Sequence, residues 1–115
     1  MSKMYKQYEL LDLTGAIGAS TALSFGNTER ANVQVDLVNA AAGTTTVVVS
    51  GTNATTSTGT YVTIGTVTST TTAAGSKSEV VEINAAYRFV KAACTAIATT
   101  GSTVAANIIT QGAGY

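Results

Sequence analysis

The chain has 115 residues, 45% of them hydrophobic and only 10% charged, and its six basic and six acidic side chains cancel to zero net charge. A chain of this length is one domain that hides roughly two-thirds of its unfolded surface, enough for a core of its own. Without clustered Lys and Arg it lacks the footprint of a nucleic-acid binder, and no stretch reaches the roughly eighteen apolar residues of a membrane span.

The opening, MSKMYKQYELLDLTGAIGAS, starts like a signal peptide with Lys3 and Lys6 ahead of apolar residues. Glu9 and Asp12 interrupt it, and the apolar core such a peptide needs does not form. Residues 1–18 hold apolar side chains without one clean period and read as an N-terminal arm or edge segment, with a β-sandwich domain over 19–115. Tyr5, Tyr8, Leu10, Leu11 and Leu13 must cover something, either this domain's own core or a neighbouring subunit. STALSF (Ser20–Phe25) predicts a short early strand.

From there the period is two. VQVDLV (Val33–Val38) sets Val33, Val35 and Leu37 against Gln34 and Asp36, with Val38 breaking the alternation. TTTVVVSG (Thr44–Gly51), YVTIGTVTST (Tyr61–Thr70), SEVVEI (Ser78–Ile83), AYRFVKAACTAI (Ala86–Ile97) and STVAANIITQ (Ser102–Gln111) follow. They are rich in the β-branched and aromatic residues that suit a pleated, half-buried surface. Gly65 reads as a bulge within its run. A helical face through Phe89, Ala92, Ala93 and Ala96 is possible, but the bulky residues around it favour strand. Turn-forming segments separate the runs at hairpin-like spacing, so the pattern predicts an all-β, antiparallel sandwich of about seven to eight strands, jelly-roll or Ig-like. The hairpin segment GTNATTSTGT is expected to draw its φ freedom from Gly51 and Gly59.

From Leu37 to Ser76 no residue is charged, and the chain has no proline. Exposed strands usually carry Lys, Pro or bulges that block edge-to-edge pairing. Strands this unguarded belong inside sheets, against a permanent partner, or both.

Val33 to Ile109 resembles a β-sandwich module of tailed-phage virion proteins, in which a G-(T/S)-N-D-G-T-x-(W/Y) hairpin precedes a Y-R-(Y/F)-V-(R/K) strand. Gly51-Thr52-Asn53, Gly59-Thr60-Tyr61 and Tyr87-Arg88-Phe89-Val90-Lys91 match, while a longer Thr/Ser insertion replaces the Asp-Gly. A free-standing module of this size, starting at its own methionine, is more similar to a capsid decoration (cement) protein than to a fibre fragment. The resemblance implies a homo-oligomer, a trimer in particular, that sits on the exterior of the phage head and stabilises it by bridging major capsid proteins. Candidate contact residues are Tyr5, Tyr8, Leu10, Leu11, Leu13 and the C-terminal Tyr115 as anchors, with Arg88 and Lys91 for ion pairs. The alternative is a tail, baseplate or fibre component with a glycan-binding sandwich, for which Tyr61, Tyr87 and Tyr115 are candidate stacking platforms.

Catalytic chemistry finds little material. The chain has no histidine, so neither a Ser/His/Asp nor a Cys/His relay can be assembled. Cys94 is the single cysteine, in an apolar run where a buried, inert thiol is the default. Glu79 and Glu82, and likewise Glu9 and Asp12, are three apart, which on a regular strand places each pair on opposite faces. Gly15-Ala-Ile-Gly18 lacks the lysine of a phosphate loop, and Asn53-Ala54-Thr55 forms a glycosylation sequon only in letter. The expectation is a structural protein with no catalytic residues, no metal and no cofactor.

Overall fold

The computed structural model of the chain describes residues 3–25, 28–85 and 87–113. They form nine strands: β1 (Lys3–Thr14), β2 (Gly18–Ala19), β3 (Leu23–Ser24), β4 (Thr28–Asn39), β5 (Gly43–Thr52), β6 (Val62–Thr71), β7 (Gly75–Ile83), β8 (Phe89–Ala96) and β9 (Thr103–Ala113). The six strand-like runs of the sequence overlap β4 to β9, the run Ala86–Ile97 reaching beyond β8 at both ends. The helical alternative gives way to β8 because Val90, Ala92 and Cys94 turn inward at every second residue.

The antiparallel pairings are nested. β1 pairs with β9, β2 and β3 with β8, β4 with β7, and β5 with β6. The chain is thus one long ribbon with the loop 53–61 at its tip. The ribbon rolls up so that β4 also pairs with β9 and β5 with β8. Two sheets result, a front sheet ordered β1-β9-β4-β7 and a back sheet ordered β2-β8-β5-β6, with β3 also on β8. Of the two sandwich topologies expected, this is the jelly roll.

Between the sheets the front contributes Val33, Val35, Leu37, Val104, Ala106 and Ile108, and the back contributes Val47, Val49, Val67, Val90 and Ala92. All are inaccessible or nearly so. Burying each valine or larger side chain contributes on the order of 1.5–3 kcal/mol.

Lys3–Thr14 is the edge strand of the front sheet, paired to β9 along its length. A bulge between Glu9 and Leu11 explains why this segment shows no single period. It lets Leu11 and Leu13 both turn inward, opposite Ala106 and Val104, with Leu10 packed beside them. The three leucines therefore close this chain's own core.

Val38 keeps the outward position of its strand, and the polar Asn39 takes the inward one at 1% exposure. Its Nδ2 donates to the Gly43 and Ser69 carbonyls and to Thr71 Oγ1 at 3.3, 3.2 and 3.1 Å, while its Oδ1 accepts from Thr45 Oγ1 at 2.6 Å. Thr45 Oγ1 in turn accepts from the Ala98 amide at 3.1 Å. One side chain of the front sheet thereby ties together two strands of the back sheet, at the point where the chain crosses between them. Among the described residues, every buried side-chain polar atom has a partner.

The sandwich is open between β6 and β7, and it is guarded there by charge. Lys77 and Glu79 share the inward register of β7, opposite Leu37 and Val35, and pair with each other at 3.7 Å. Lys77 Nζ also donates to the Thr68 carbonyl of uncharged β6 at 2.9 Å. Inward-pointing charge on an edge strand is a standard defence against edge pairing, and here one strand's lysine protects its neighbour.

The glycines act differently from the sequence expectation. Among the described residues positive φ occurs at Gly15 (64°) and Gly43 (148°), not at Gly51 or Gly59. Gly51 is needed because a Cβ there would come within 2.6 Å of the Tyr87 ring, and Gly59 because it would meet Ala54. The tip loop is held instead by hydroxyls and carbonyls: Thr52 Oγ1 accepts from the Ala54 amide at 3.1 Å, and Tyr61 donates to the Ser57 carbonyl at 2.9 Å. Gly65 does mark a bulge, since Val49 faces it while Ser50 faces Thr63.

Two stability outcomes follow. Asn39→Ala strands several buried groups and is expected to cost about 3 kcal/mol, read as a fall of 1–2 M in the urea midpoint; a loss under about 1 kcal/mol would show that the cluster is incidental. Gly65→Ala places a Cβ 2.7 Å from Val81 Cγ1, with an expected cost of about 1–3 kcal/mol. Combined with Val81→Ala it should cost less than the sum of the two single changes, and strict additivity would refute the contact.

Candidate interaction surfaces

The two outer faces of the sandwich differ in chemistry. On the back sheet, inward Val47, Val67 and Ser69 leave Thr44, Thr46 and Val48 of β5 and Thr66, Thr68 and Thr70 of β6 pointing out. Thr44 and Thr70 share a hydrogen bond at 3.0 Å, and Thr46 and Thr68 one at 3.4 Å. Cross-strand pairs of this kind fix the side chains of a ladder. Ala93 continues the surface across β8, opposite Val48. Lys91 is the charge on this side, and its Nζ lies 4.1 Å from the centroid of the Tyr61 ring, a cation–π contact that holds both. The face is uncharged across β5 and β6 and made there of small hydroxyl and methyl groups.

The outer face of the front sheet is polar and uneven. Inward Val33, Val35 and Leu37 send Asn32, Gln34 and Asp36 outward on β4, and inward Ala106, Ile108 and Thr110 do the same for Asn107, Ile109 and Gln111 on β9. The registers set these in rows with Gln7 and Glu9 of β1 and with Glu82 and Val80 of β7. Two adjoining depressions of about 140 and 250 Å³ lie on this face and share Asn32 and Ile109.

The sequence-derived contact residues do not converge on either face. Tyr5 stands outward beside Gln111 at the rim of the front face, 67% exposed. Tyr8 faces the inner side, opposite buried Ile108, and remains 38% exposed at the margin of the sandwich. Leu10, Leu11 and Leu13 belong to the core, as described above. Arg88 is exposed on the approach to β8, where its amide donates to the Thr52 carbonyl at 2.9 Å and to Asn53 Oδ1 at 3.2 Å. Tyr115 lies outside the described residues. Of the stacking candidates, Tyr87 is packed over Gly51 and Tyr61 is engaged by Lys91 and Ser57.

The carboxylate pairs separate into two cases. Glu79 turns inward opposite Val35 and Glu82 outward opposite Asn32, on opposite faces as expected. Glu9 and Asp12 instead share the outer face, opposite Asn107 and Ala105, because the bulge adds one residue between them. Among the described residues no three His, Cys, Asp or Glu side chains group to hold a metal.

Cys94 is buried in the core, and its Sγ donates to the Ala96 carbonyl at 3.2 Å. Burial pushes its thiol above the ordinary range, which disfavours the nucleophilic thiolate.

No protein-family model matches the sequence, and no curated protein does. Solved structures do match in fold. The prophage-derived protein YomS of SPBc2 aligns over 96% of both chains with a TM-score of 0.62 and 9% identity. The fold of this chain is thus similar to that of a prophage-derived protein. XepA, an exported protein of PBSX, aligns over 96% of this chain at TM-score 0.53 and 9% identity, this chain spanning 38% of XepA. A pilus protein of Bacillus endospore appendages aligns over 97% of this chain and 91% of its own at TM-score 0.53 and 19% identity. At these identities the likeness is one of fold.

The buried thiol yields a pH signature. A thiol whose folded value is raised above its unfolded one contributes stability that is complete below the unfolded value of about 8.5 and is lost as pH climbs through the raised value. Thermal melts of the parent should therefore fall more steeply in alkali than those of Cys94→Ala, and native Cys94 should resist thiol reagents until the chain unfolds. Rapid native labelling, or identical alkaline slopes, would contradict this.

Proposed function

We propose that this chain is a structural, non-catalytic protein of a phage virion: a decoration protein that seats its back face on major capsid proteins at the head exterior and thereby stabilises the shell. The observation that carries the reading is the charge-free ladder of Thr44, Thr46, Val48, Thr66, Thr68 and Thr70. Four of its five hydroxyls are already paired, Thr44 with Thr70 and Thr46 with Thr68, while Thr66 stands opposite Val48; covering the ladder therefore strands few polar groups and desolvates no charge on β5 or β6. Zero net charge removes the long-range repulsion that keeps copies apart. The fold shared with prophage-derived proteins supports a phage origin. In this reading the copies form trimers on the shell, and no cofactor takes part.

The leucines of β1 are occupied in the core, so attachment rests on the sheet face and not on an unfurled arm. The fold shared with a pilus protein favours a second reading, a tail, baseplate or fibre subunit whose copies stack through the same face.

Cryo-electron microscopy of virions from the phage that encodes the chain separates the two. Many copies over the head lattice are expected; copies confined to the tail would select the second reading, and absence from the particle would end both. In reconstitution onto bare heads, Thr66→Glu with Thr68→Glu should weaken occupancy at least tenfold, since an unpaired buried charge costs several kcal/mol. Unchanged occupancy would exclude this face as the contact.

A further inference from the structure

The chain contains three glutamines, Gln7, Gln34 and Gln111. They lie far apart in sequence, on β1, β4 and β9, yet all three point out of the front sheet. Asn32 and Asn107 stand among them, opposite Ile109 and Gln34 respectively. The opposite face of the sandwich presents Thr, Ala and Val, with Lys91 over the Tyr61 ring. This concentration of amides is therefore a property of one face and not of the surface at large.

We infer that the outer face of the front sheet is a binding site for a neutral saccharide. An amide group carries two donors and an acceptor, the same combination that the neighbouring hydroxyls of a sugar present. Among the described residues, no hydrogen bond within the chain occupies the amides of Gln7, Asn32, Asn107 or Gln111. Gln34 is different: its Nε2 donates to Asp36 Oδ1 at 3.2 Å, and Ser78 Oγ donates to the same oxygen, so this carboxylate is held in place before any ligand arrives.

The shape agrees with the chemistry. The two depressions meet at Asn32 and Ile109, and Ile109 is a 43% exposed apolar floor between polar walls. A pyranose ring has an apolar C–H face to lay on such a floor and a rim of hydroxyls for the walls. Strands are about 4.8 Å apart, comparable with the width of that ring, so amides on adjacent strands reach neighbouring hydroxyls. Exposed Tyr5 at the rim of one depression supplies an aromatic surface for the next unit.

Charge narrows the ligand class. Arg30 at one end is outnumbered by Glu9, Asp12, Asp36 and Glu82 across the face. A polyanion such as nucleic acid needs the reverse balance. A protein partner would have to match each open amide or leave it buried without a bond, at about 1–3 kcal/mol per group, and the exposed aliphatic residues here, Ile109, Val80 and Val38, are in three different rows. The site is independent of the back-face ladder, and the inference holds for a head or a tail protein alike.

The test is a nitrogen-15 NMR titration of the full chain with maltohexaose, cellohexaose, chitohexaose and a β-galactan fragment at millimolar concentrations. The side-chain amide signals of Gln7, Asn32, Asn107 and Gln111 should shift saturably with at least one of them, while that of Asn53 on the tip loop stays still. Asn32→Ala with Asn107→Ala should weaken the response at least tenfold without changing the melting temperature. No shift with any of the four, or shifts outside the front face, overturns the site. Shifts of the same signals on concentrating the chain without sugar would assign the face to a second copy and overturn it equally.

Discussion

The geometry of this molecule depends on one constraint: the chain pairs with itself as a nested ribbon whose tip is the loop 53–61. Once β5 and β6 are joined there, β4 must meet β7, β8 must meet β2 and β3, and β9 must meet β1. Rolling that ribbon is favourable because it brings two rows of valine, leucine and isoleucine face to face and removes them from water. The charge-free stretch from Leu37 to Ser76 occupies the inner half of the ribbon, where β5 is flanked on both sides. Its many threonines satisfy the tip loop and the ladder of the back face with hydroxyls. They take over work that charged side chains do on most surfaces.

The same constraint creates two unlike exteriors. A rolled ribbon places β5 and β6 in one sheet and β4 and β9 in the other, so their outward residues never mix. Thr66, Thr68 and Thr70 alternate with Val67 and Ser69 to give a smooth hydroxyl ladder. Asn107, Ile109 and Gln111 alternate with Ala106, Ile108 and Thr110 to give an uneven amide surface. One face is cheap to cover with protein, and the other offers open donors and acceptors.

Local irregularities matter as much as the alternation. The bulge in β1 admits Leu11 and Leu13 to the core and, in the same move, turns Glu9 and Asp12 to one side. Asn39 shows the same economy: a polar residue at an inward position is tolerated because it bridges the sheets with four hydrogen bonds. Lys77 and Glu79 sit inward at the open margin between β6 and β7, so they stay hydrated while they block the edge of β6.

Sequence alone determined that the chain is all-β, roughly where β4 to β9 run, and that Val33, Val35 and Leu37 form the buried side of β4, because alternation of apolar and polar residues is a local signal with period two. It also pointed to the Gly65 bulge and to an inert Cys94. Tertiary structure decided what no local signal carries: that residues near 7, 34 and 109 share a face, that three N-terminal leucines serve this core, and that Gly51 makes room for Tyr87 instead of turning the chain. Each of these depends on which strands become neighbours, and that is settled by the packing of the whole ribbon, since pairing energies between strands distant in sequence leave no mark on either strand by itself.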